Sequence, residues 1–468
     1  MSKIKKNIFV ENANIVDISS EGKSVAKVEG MVIFVDGGVP GDVADVMITR
    51  KKNNYAEGHI VTLKKPSANR IEPVCRHFGS CGGCKWQHLD YATQLVFKQK
   101  TVSDALTRIG KLDISTLQPI FGNKEEYYYR NKLEFSFSDK KWLTSDEIKS
   151  GENIDNRNAL GFHIPKMFDK ILDIQTCYLQ EEPSNAIRNG IRDFANKHGL
   201  TFFGVRDKTG LLRTLMLRTS STGELMLVIQ FFENQPENIA LLLNYLKDTF
   251  PQITSLQYVI NQKGNDTLQD LDLITFYGRD HIFEEMEGLK FKISAKSFYQ
   301  TNSQQAYELY KITRNFCGLT GNETVYDLYT GTGTIANFVA KQAGKVIGVE
   351  YVEDAVKDAR VNSELNGINN TTFFAGDMKD ILNEAFIETH GKPDVIITDP
   401  PRAGMHEDVV RVLLKAAPAK IVYVSCNPAT QARDLAMMTE HYEIKNIQAV
   451  DMFPQTAHVE NVALLVRK

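Results

Sequence analysis

Residues 324–336, TVYDLYTGTGTIA, decide the fold of this chain. An apolar, strand-like run leads into a turn that contains Gly331 and Gly333, and a helical pattern follows the turn. Glycines at these positions permit a tight turn and the close approach of a ligand to the backbone. The next strand-like run, KVIGVE, ends at Glu350, at about the spacing where an acidic side chain accepts hydrogen bonds from a ribose. The stretch therefore predicts a nucleotide-type ligand, although a plain structural turn also fits.

The last part of the chain repeats this strand-and-helix pattern. Short apolar runs alternate with helical spacers from residue 276 to residue 468, at TVYDLYTG, KVIGVE, TTFFAGD, DVIITDPP, KIVYVSCNP and NVALLVRK. Such alternation predicts an α/β domain with a doubly wound, mainly parallel sheet. Ligands of such sheets bind beyond the carboxyl ends of the strands. Most residues of chemical interest in this chain fall at those ends.

The turn alone fits both NAD and S-adenosylmethionine. Asp377 follows the third strand-like run, where a polar side chain could reach the edge of an adenine. The sequence Asp399-Pro-Pro-Arg402 follows the strand-like run DVIIT, and the two prolines hold the loop and its carboxylate rigid. A dehydrogenase has no evident need for that motif. The residues therefore favour S-adenosylmethionine.

Two further polar groups lie near strand ends. Cys426 follows the run IVYVS and precedes a turn and a helix, a position that favours the thiolate form. A free cysteine is also commonly a buried, inert residue, so position alone leaves both interpretations open. His458 and Glu460 lie two residues apart before the last strand and would share one face of an extended segment.

A thiol, a carboxylate and a sulfonium donor together indicate a particular reaction. Uracil C5 is too weak a nucleophile to accept a methyl group directly. Addition of a thiolate to C6 turns C5 into an enolate carbon, and a base must afterwards remove the C5 proton so that the thiolate can leave. Covalent catalysis divides one difficult step into easier ones in this way.

The chain has 468 residues, which suggests about three domains. Residues 1–64 contain several short strand-like runs and a GGVPGD turn, which suit a small OB-type barrel and resemble the RNA-binding TRAM domain. Residues 65–275 are predicted to form an α+β domain, and residues 276–468 the cofactor domain. The net charge of −3 does not by itself indicate a nucleic-acid partner, and the basic residues clustered between 50 and 76 also fit a solvated loop region.

Three of the six cysteines crowd into ten residues, at Cys75, Cys81 and Cys84. Six cysteines are too few for a disulfide scaffold, and the spacing asks for a metal explanation. On spacing alone, zinc and an iron–sulfur cluster fit equally well, and the absence of any metal is a third interpretation. The neighbouring glycines would let the backbone wrap around an inorganic centre.

Taken together, the motifs resemble the RNA 5-methyluridine methyltransferases along nearly the whole chain. The matching segments are, in order, SFYQTN (297–302), DLYTGTG (327–333), DPPR (399–402), SCNP (425–428) and DMFPQTAHVE (451–460). The resemblance implies that Cys426 is the nucleophile and Glu460 the base. It also implies that Gln300, Tyr329, Glu350 and Asp399 hold the cofactor or the reacting centre. Thr330 stands where many relatives carry a cysteine, and we expect no change in the chemistry.

The same resemblance implies a [4Fe–4S] cluster held by Cys75, Cys81, Cys84 and the distant Cys177. The cluster would be structural or RNA-contacting, because no step of the reaction needs an electron. It favours ribosomal RNA over transfer RNA as the partner, because the transfer RNA enzyme resembles a shorter relative without cluster or barrel. The target base would be taken from a loop or flipped out of its stack.

Two other classes of protein compete with this prediction. A radical S-adenosylmethionine enzyme also combines a cluster with this cofactor, but it needs a shorter CxxxCxxC run. An RNA-binding protein that has lost its activity is the second, and the intact set of site residues speaks against it. No apolar run is long enough for a signal peptide or a membrane span, so we expect a cytoplasmic protein, a monomer by default.

Overall fold

The structure is a computed structural model that describes residues 8–151 and 153–468. Its first unit is a closed barrel with the strand order β1-β2-β3-β5-β4. The five strands are β1 (Ile8–Ile18), β2 (Ser24–Val28), β3 (Met31–Asp36), β4 (Val43–Lys51) and β5 (Tyr55–Lys65). Small and β-branched side chains fill the interior: Ala13, Ile15, Ala26, Ile33, Val35, Val46 and Ala56. The predicted OB-type barrel is confirmed, and residues 1–7 of the predicted first domain lie outside the described residues.

A seven-stranded sheet dominates the middle of the chain, in the order β13-β12-β11-β10-β7-β8-β9. A long helix and one strand that joins another sheet come first: α1 (Tyr91–Asp104), a π-helical turn (Ala105–Ile109) and β6 (Leu117–Phe121). The sheet and its helices follow as β7 (Lys132–Ser138), α2 (Ser145–Ser150), β8 (Ala159–Ile164), β9 (Met167–Asp173), α3 (Ser184–Lys197), β10 (Leu212–Thr219), β11 (Leu225–Phe231), α4 (Pro236–Thr249), β12 (Ile253–Ile260) and β13 (Ile274–Gly278). Buried residues of α3 and α4 pack against the apolar side chains of this sheet and form one core.

The last unit is an eight-stranded sheet in the order β18-β17-β16-β19-β20-β22-β21-β6. A hairpin and a helix precede it: β14 (His281–Met286), β15 (Leu289–Ser294) and α5 (Ser303–Cys317). The alternating elements are β16 (Thr324–Leu328), α6 (Thr334–Ala340), β17 (Lys345–Glu350), α7 (Glu353–Leu365), β18 (Thr371–Ala375), α8 (Met378–Ile381), α9 (Glu384–His390), β19 (Val395–Thr398), α10 (Glu407–Ala416), β20 (Lys420–Ser425), α11 (Pro428–Met438), β21 (Tyr442–Val450) and β22 (Glu460–Arg467). Strands β16 to β20 are mutually parallel, and β22 runs antiparallel to β20. The predicted α/β fold is confirmed.

Strand β6 crosses from the middle of the sequence into this last sheet. It pairs in parallel with β21, through Leu117 against Ile447 and Gln118 against Gln448. An exposed strand edge invites unwanted pairing, and β6 covers the backbone of β21. The middle region and the last sheet are thereby joined by hydrogen bonds, while the domain limits at residues 64 and 275 stay predictions.

No helix of the described residues is both long enough and apolar enough to cross a membrane.

Candidate active site

The sheet topology brings a thiol and a carboxylate to the same edge. Cys426 comes directly after the carboxyl end of β20, and Glu460 is the first residue of the neighbouring antiparallel strand β22. The last pair of this ladder is Ser425 with Asn461, so Cys426 and Glu460 are each one residue beyond it. Residues that oppose one another across an antiparallel pair lie close together.

Glu460 lies in a buried, acidic environment. Its side chain is almost inaccessible, with the residue 6% exposed. Burial and the neighbouring Asp399 together raise the pKa of Glu460 to about 8, against the opposing effect of Arg402. Burial also raises the pKa of Asp399 to about 7, with Asp327 adding to the effect. Both carboxyls can therefore exchange protons near neutral pH, which suits acid–base chemistry.

Cys426 has charged neighbours of both signs. Burial raises the pKa of its thiol to about 11, and Glu460 and Asp399 add to the rise. Arg402 acts in the opposite direction, through its charge and a side-chain hydrogen bond. The carbonyl of Arg402 is itself held by Asn427, whose Nδ2 donates to it at 2.9 Å. Arg402 is a site residue that the sequence reasoning missed, although its place in the DPPR motif signalled it.

The glycine loop between β16 and α6 is shaped for close approach. Tyr329, Gly331 and Gly333 all have left-handed backbones, with φ of 63°, 56° and 74°. A Cβ on Gly333 would lie 2.8 Å from the Cβ of Ala359, so a side chain would collide there, whereas the space beside Gly331 is open. The loop thus presents bare backbone at the end of the sheet, as a bound cofactor requires.

Glu350 holds this loop in place. One carboxylate oxygen accepts a hydrogen bond from the Gly331 backbone N–H at 3.0 Å, and the other accepts from Val352 at 2.9 Å. Each carboxylate oxygen keeps a lone pair, so acceptance from a ribose hydroxyl remains open. The side chain therefore lies at the carboxyl end of β17 and orders the turn, while its contact with a cofactor stays a prediction.

The remaining predicted cofactor residues lie around the same edge. The pKa of Tyr329 rises to about 12 through burial and the nearby charges of Asp377, Asp434 and Glu350. Asp377 caps the short helix α8 by accepting from the Lys379 N–H at 3.2 Å, and its side chain is 40% exposed.

Two further residues complete the picture of this edge. Gln300 precedes α5, and no hydrogen bond among the described residues joins its side chain to the other predicted site residues. The hydroxyl of Thr330 donates to the carboxylate of the buried Asp327 at 2.5 Å. Thr330 therefore forms a hydrogen bond within the glycine loop, to a residue of the strand that leads into it.

The segment before Glu460 is anchored by the middle of the chain. Four consecutive backbone carbonyls of this segment, residues 452–455, accept hydrogen bonds. Asn302 Nδ2 donates to Met452, Lys98 Nζ to Phe453 and the Tyr129 hydroxyl to Pro454. The backbone N–H groups of Lys85 and Trp86 both donate to Gln455. The side chain of Gln94 also accepts from the Gln455 backbone N–H at 2.9 Å and donates from Nε2 to Gln455 Oε1 at 3.0 Å. A segment held at so many points fixes the position of the residues that follow it.

An open cleft of about 900 Å³ leads to Cys426. Residues 17–21 of the barrel line one wall of the cleft, and Gly82 and Gly83, which lie between Cys81 and Cys84, line another. The eight-stranded sheet and its loops contribute Arg402, Cys426 and residues 456–459. His458 lies in this cleft, and burial together with nearby cations lowers its pKa to about 4, so its ring is neutral. The cleft is large enough to admit a nucleotide and its flanking backbone.

The four predicted ligand cysteines lie near one another in the fold. The thiols of Cys75, Cys81 and Cys177 each raise the pKa of Cys84, which burial brings to about 12. Burial raises the pKa of Cys81 to about 12 as well, and raises those of Cys75 and Cys177. Among the described residues, however, no group of three or more His, Cys, Asp or Glu side chains is arranged to hold a metal ion. The predicted iron–sulfur cluster therefore stays a prediction.

A doubly wound, mainly parallel sheet with a glycine turn after β16 and an acidic residue ending β17 is typical of proteins that bind NAD or S-adenosylmethionine, and the Asp399-Pro-Pro-Arg402 loop favours a methyltransferase that depends on S-adenosylmethionine. Comparison with known proteins narrows this class. The tRNA (Uracil-5-)-methyltransferase family matches residues 237–468, and the TRAM domain matches residues 10–61.

Relatives and solved structures agree with these matches. A protein of Bacteroides thetaiotaomicron named as an RNA methyltransferase is 58% identical over 96% of this chain and 99% of its own. One of Chlorobaculum tepidum, also named as an RNA methyltransferase, is 42% identical over 99% and 98%. The crystal structure of the tRNA (uracil-54, C5)-methyltransferase of Pyrococcus abyssi with S-adenosyl-L-homocysteine superimposes with a TM-score of 0.75, at 26% identity, over 97% of this chain and 100% of that one. The chain belongs to the RNA uracil-5-methyltransferase family.

Proposed function

We propose that this enzyme methylates C5 of a uridine in RNA through a covalent bond between Cys426 and uracil C6. The observation that carries the proposal is the position of Cys426 and Glu460 one residue beyond the Ser425–Asn461 pair, beside Asp399 and open to the cleft. A nucleophile and a base at adjacent strand ends can act on neighbouring atoms of one ring.

The first step forms the bond between the Cys426 sulfur and C6 of the flipped uracil. Arg402 favours the thiolate that this step requires, while Glu460 and Asp399 keep the resting thiol protonated. The thiol proton leaves through the water of the cleft, and the electron pair of the C5–C6 double bond moves toward C5 and O4. Asp399, with its pKa of about 7, can donate a hydrogen bond to the uracil edge when it is protonated.

The second step joins C5 to the methyl carbon of the donor. The bond between that carbon and the sulfonium sulfur breaks, and the sulfur keeps the electron pair as a neutral thioether. Glu460 then takes the proton from C5, the C5–C6 double bond re-forms, and the Cys426 thiolate leaves. Because the pKa of Glu460 is about 8, its carboxylate is a stronger base than an exposed glutamate.

The residues that would hold the donor surround the glycine loop. Gly331 and Gly333 would offer it bare backbone, Glu350 would accept hydrogen bonds from its ribose, and Tyr329 and Asp377 would line its adenine side. Gln300 would hold the end of the donor nearest to α5. The raised pKa values of Tyr329, Asp327 and Asp399 indicate that this edge excludes water, which strengthens every polar contact made there.

The proposal is tested by mapping 5-methyluridine in RNA from cells with and without this protein. Loss of the modification at one or a few uridines is the expected result, with S-adenosylhomocysteine as the by-product of the purified reaction. An unchanged map would remove the function, and 5′-deoxyadenosine as by-product would indicate radical chemistry instead.

The same map separates two target classes. Ribosomal RNA is our first proposal, and it rests on the resemblance of the cysteine spacing to that branch of the family. Transfer RNA is the second candidate, because the transfer RNA enzyme of Pyrococcus abyssi aligns over its whole length with 97% of this chain. Barrel and middle region alone therefore do not separate the two targets, contrary to our expectation of a shorter transfer RNA enzyme.

We also propose that Cys75, Cys81, Cys84 and Cys177 hold a [4Fe–4S] cluster. Their thiols are close enough to shift one another's pKa, yet they are not arranged around a single metal ion. The choice of the cluster over zinc rests on the resemblance of this cysteine spacing to the ribosomal RNA branch of the family, since zinc and an iron–sulfur cluster both accept four thiolates. When bound, the cluster would supply cross-linking between distant segments.

Buried positive charge adds to the fit of these cysteines with an anionic cluster. Arg188 is fully buried and lies near Cys177, and its hydrogen bonds among the described residues go to the Ile174 and Gln175 carbonyls and to Asn185. Iron and sulfide analysis of protein purified without oxygen tests the proposal. Four irons per chain are expected, and zinc or no metal would overturn it.

A further inference from the structure

The tip of the β8–β9 hairpin exposes an aromatic side chain that the folded chain does not cover. Phe168 is 65% exposed and the adjacent Met167 41% exposed. Both lie on β9, which is an edge strand of the seven-stranded sheet. A large apolar side chain left in water on a sheet edge commonly marks an interaction surface.

Cations surround this aromatic ring. The guanidinium of Arg206 lies over the ring of Phe168, 5.4 Å from its centroid. Together with Lys140, Lys166 and Lys170 these residues line a shallow pocket of about 470 Å³. We name the surface formed by Lys140, residues 166–170 and Arg206 the hairpin patch.

Carboxylates in and beside the hairpin patch offset part of its positive charge. Asp169 pairs with Arg206, and Asp207 pairs with Lys140. Lys170 makes no ion pair within the part of the chain that the structure describes. Positive charge also continues beyond the patch: Glu57 of the barrel lies near Lys166 at 3.9 Å, and Lys23 and Arg50 of the barrel flank the same carboxylate. Three cations around one carboxylate leave an excess of positive charge between hairpin and barrel.

The hairpin patch is continuous with the reaction cleft. Gly82 lines the cleft that contains Cys426, and it packs directly against the hairpin. A Cβ at residue 82 would lie 3.0 Å from the His163 carbonyl and 3.7 Å from the Pro165 ring. A chain that leaves the cleft past Gly82 therefore meets the turn at Lys166 and then Phe168.

We propose that the hairpin patch binds a single-stranded segment of the substrate RNA, with one base stacked on Phe168 and phosphates beside Lys166 and Lys170. Exposed aromatic faces next to cations are the usual means of binding unpaired nucleotides. The positive charge around the ring favours a polyanion over an apolar protein surface, since Lys170 makes no ion pair among the described residues and Lys166 shares the Glu57 carboxylate with Lys23 and Arg50. The inference rests on the proposed function, because it assumes that the substrate is RNA.

The experiment uses full-length protein and fluorescent oligouridines of about 8 and about 30 nucleotides, because one barrel covers only about 4–16 nucleotides. Phe168→Ala should weaken binding of the long oligouridine about fivefold and leave the short one unchanged. Phe168→Trp should bind the long probe at least as well as the wild type. Ile148→Ala, at another residue that is 65% exposed, is the matched control and should change neither affinity.

A second variant separates charge from stacking. The double variant Lys166→Glu with Lys170→Glu should bind the long oligouridine more weakly than Phe168→Ala does. Its affinity should also depend less on salt concentration, because phosphate contacts release counterions. Unchanged affinity of both variants for the long probe would overturn the proposal. Unchanged RNA affinity together with loss of a co-purifying protein would assign the hairpin patch to a protein partner instead.

Failure of the proposed function has a different signature. Cys426→Ala should bind both probes like the wild type while failing to methylate cellular RNA. If the wild type methylates no RNA, the proposed function fails, whereas the effect of Phe168→Ala on the long probe still reports on the hairpin patch.

Discussion

Cys426 and Glu460 each lie one residue beyond Ser425 and Asn461, the last pair of the antiparallel ladder between β20 and β22. This relationship exists because β22 enters the sheet against the direction of β20, which places its first residue at the carboxyl edge of the parallel strands. A parallel final strand would have put Glu460 at the opposite edge. The reversal of one strand therefore brings a base to the nucleophile.

Cys426→Ala should abolish methylation, because no other group at this edge can add to C6. The affinity for RNA should stay within about twofold of the wild type, since residues 17–21 of the barrel and the glycines at 82 and 83 also line the cleft. Methyl transfer from radiolabelled donor and RNA gel shifts measure the two properties. Cys317→Ala is the control, because Cys317 is a buried thiol on α5 away from the cleft. Undiminished turnover of Cys426→Ala would remove the nucleophile assignment.

Glu460→Gln should trap the protein on its RNA. Adduct formation and methyl transfer need only the thiolate and the donor, whereas release needs a base for the C5 proton. The amide cannot accept that proton, so a band resistant to denaturant should accumulate on a gel. Wild-type enzyme should show little of it, and the double variant with Cys426→Ala should show none. If no band forms, the base lies elsewhere.

The two charged neighbours of Cys426 should shift its titration in opposite directions. Glu460→Gln removes a charge that raises the pKa of the thiol, so alkylation by iodoacetamide should begin at lower pH than in the wild type. Arg402→Gln removes a charge that lowers it, so alkylation should require higher pH. Mass spectrometry of the Cys426 peptide follows both. The absence of a shift in both variants would show that burial alone sets this pKa.

The sequence predicted the fold from local patterns that the structure preserves. Strand-like runs such as residues 421–425 are buried on both faces, so they are apolar throughout and easy to recognise. The glycine turn at Gly331 and Gly333 was recognisable because its left-handed backbone restricts the residue type. Barrel and catalytic sheet follow from such local rules.

Long-range pairing was beyond these rules. Strand β6 joins β21 across more than 300 residues, as Leu117 against Ile447, and no local pattern reports that partner. The role of Arg402 could not be predicted beyond its place in a motif. Its effect on the Cys426 thiol requires the loops after β19 and β20 to meet, and they meet only in the fold. The Lys98–Asp451 pair was missed for the same reason, since Lys98 reads as an ordinary residue of a polar helix.

Asp399→Asn should make stability less dependent on pH. The pKa of Asp399 rises from 3.8 to about 7 in the folded state, so its contribution to stability is fully present below pH 3.8 and is lost as pH rises through about 7. The asparagine cannot ionise, so the variant should gain on the order of 2 kcal/mol relative to the wild type at about pH 8. Denaturant unfolding at about pH 5 and pH 8 measures this. If the free energy of unfolding falls equally in both proteins between these two pH values, the prediction is contradicted. The variant should methylate RNA less well than the wild type in either case.

Lys98→Met should damage both stability and the last step of catalysis. Lys98 Nζ lies 2.5 Å from Asp451 Oδ1, and both side chains are fully buried. Removing one partner leaves a buried charge unpaired, which costs about 3–5 kcal/mol in the free energy of unfolding. Combining Lys98→Met with Asp451→Asn removes both charges and should recover part of that loss.

The catalytic effect follows from the Phe453 carbonyl, which Lys98 Nζ holds at 3.0 Å seven residues before Glu460. Loss of this anchor should lower kcat more than it raises KM, and should increase the trapped adduct, because the base rather than the binding cleft is displaced. Lys100→Met, on the same helix, is the matched control for stability and kcat; because Lys100 also lines the cleft, its loss should change KM rather than kcat. Lys100 pairs with Asp17 and Asp104 at the surface, so its loss should cost less than about 1 kcal/mol. Equal effects of the two lysine variants on kcat would show that α1 supports the fold without positioning the base.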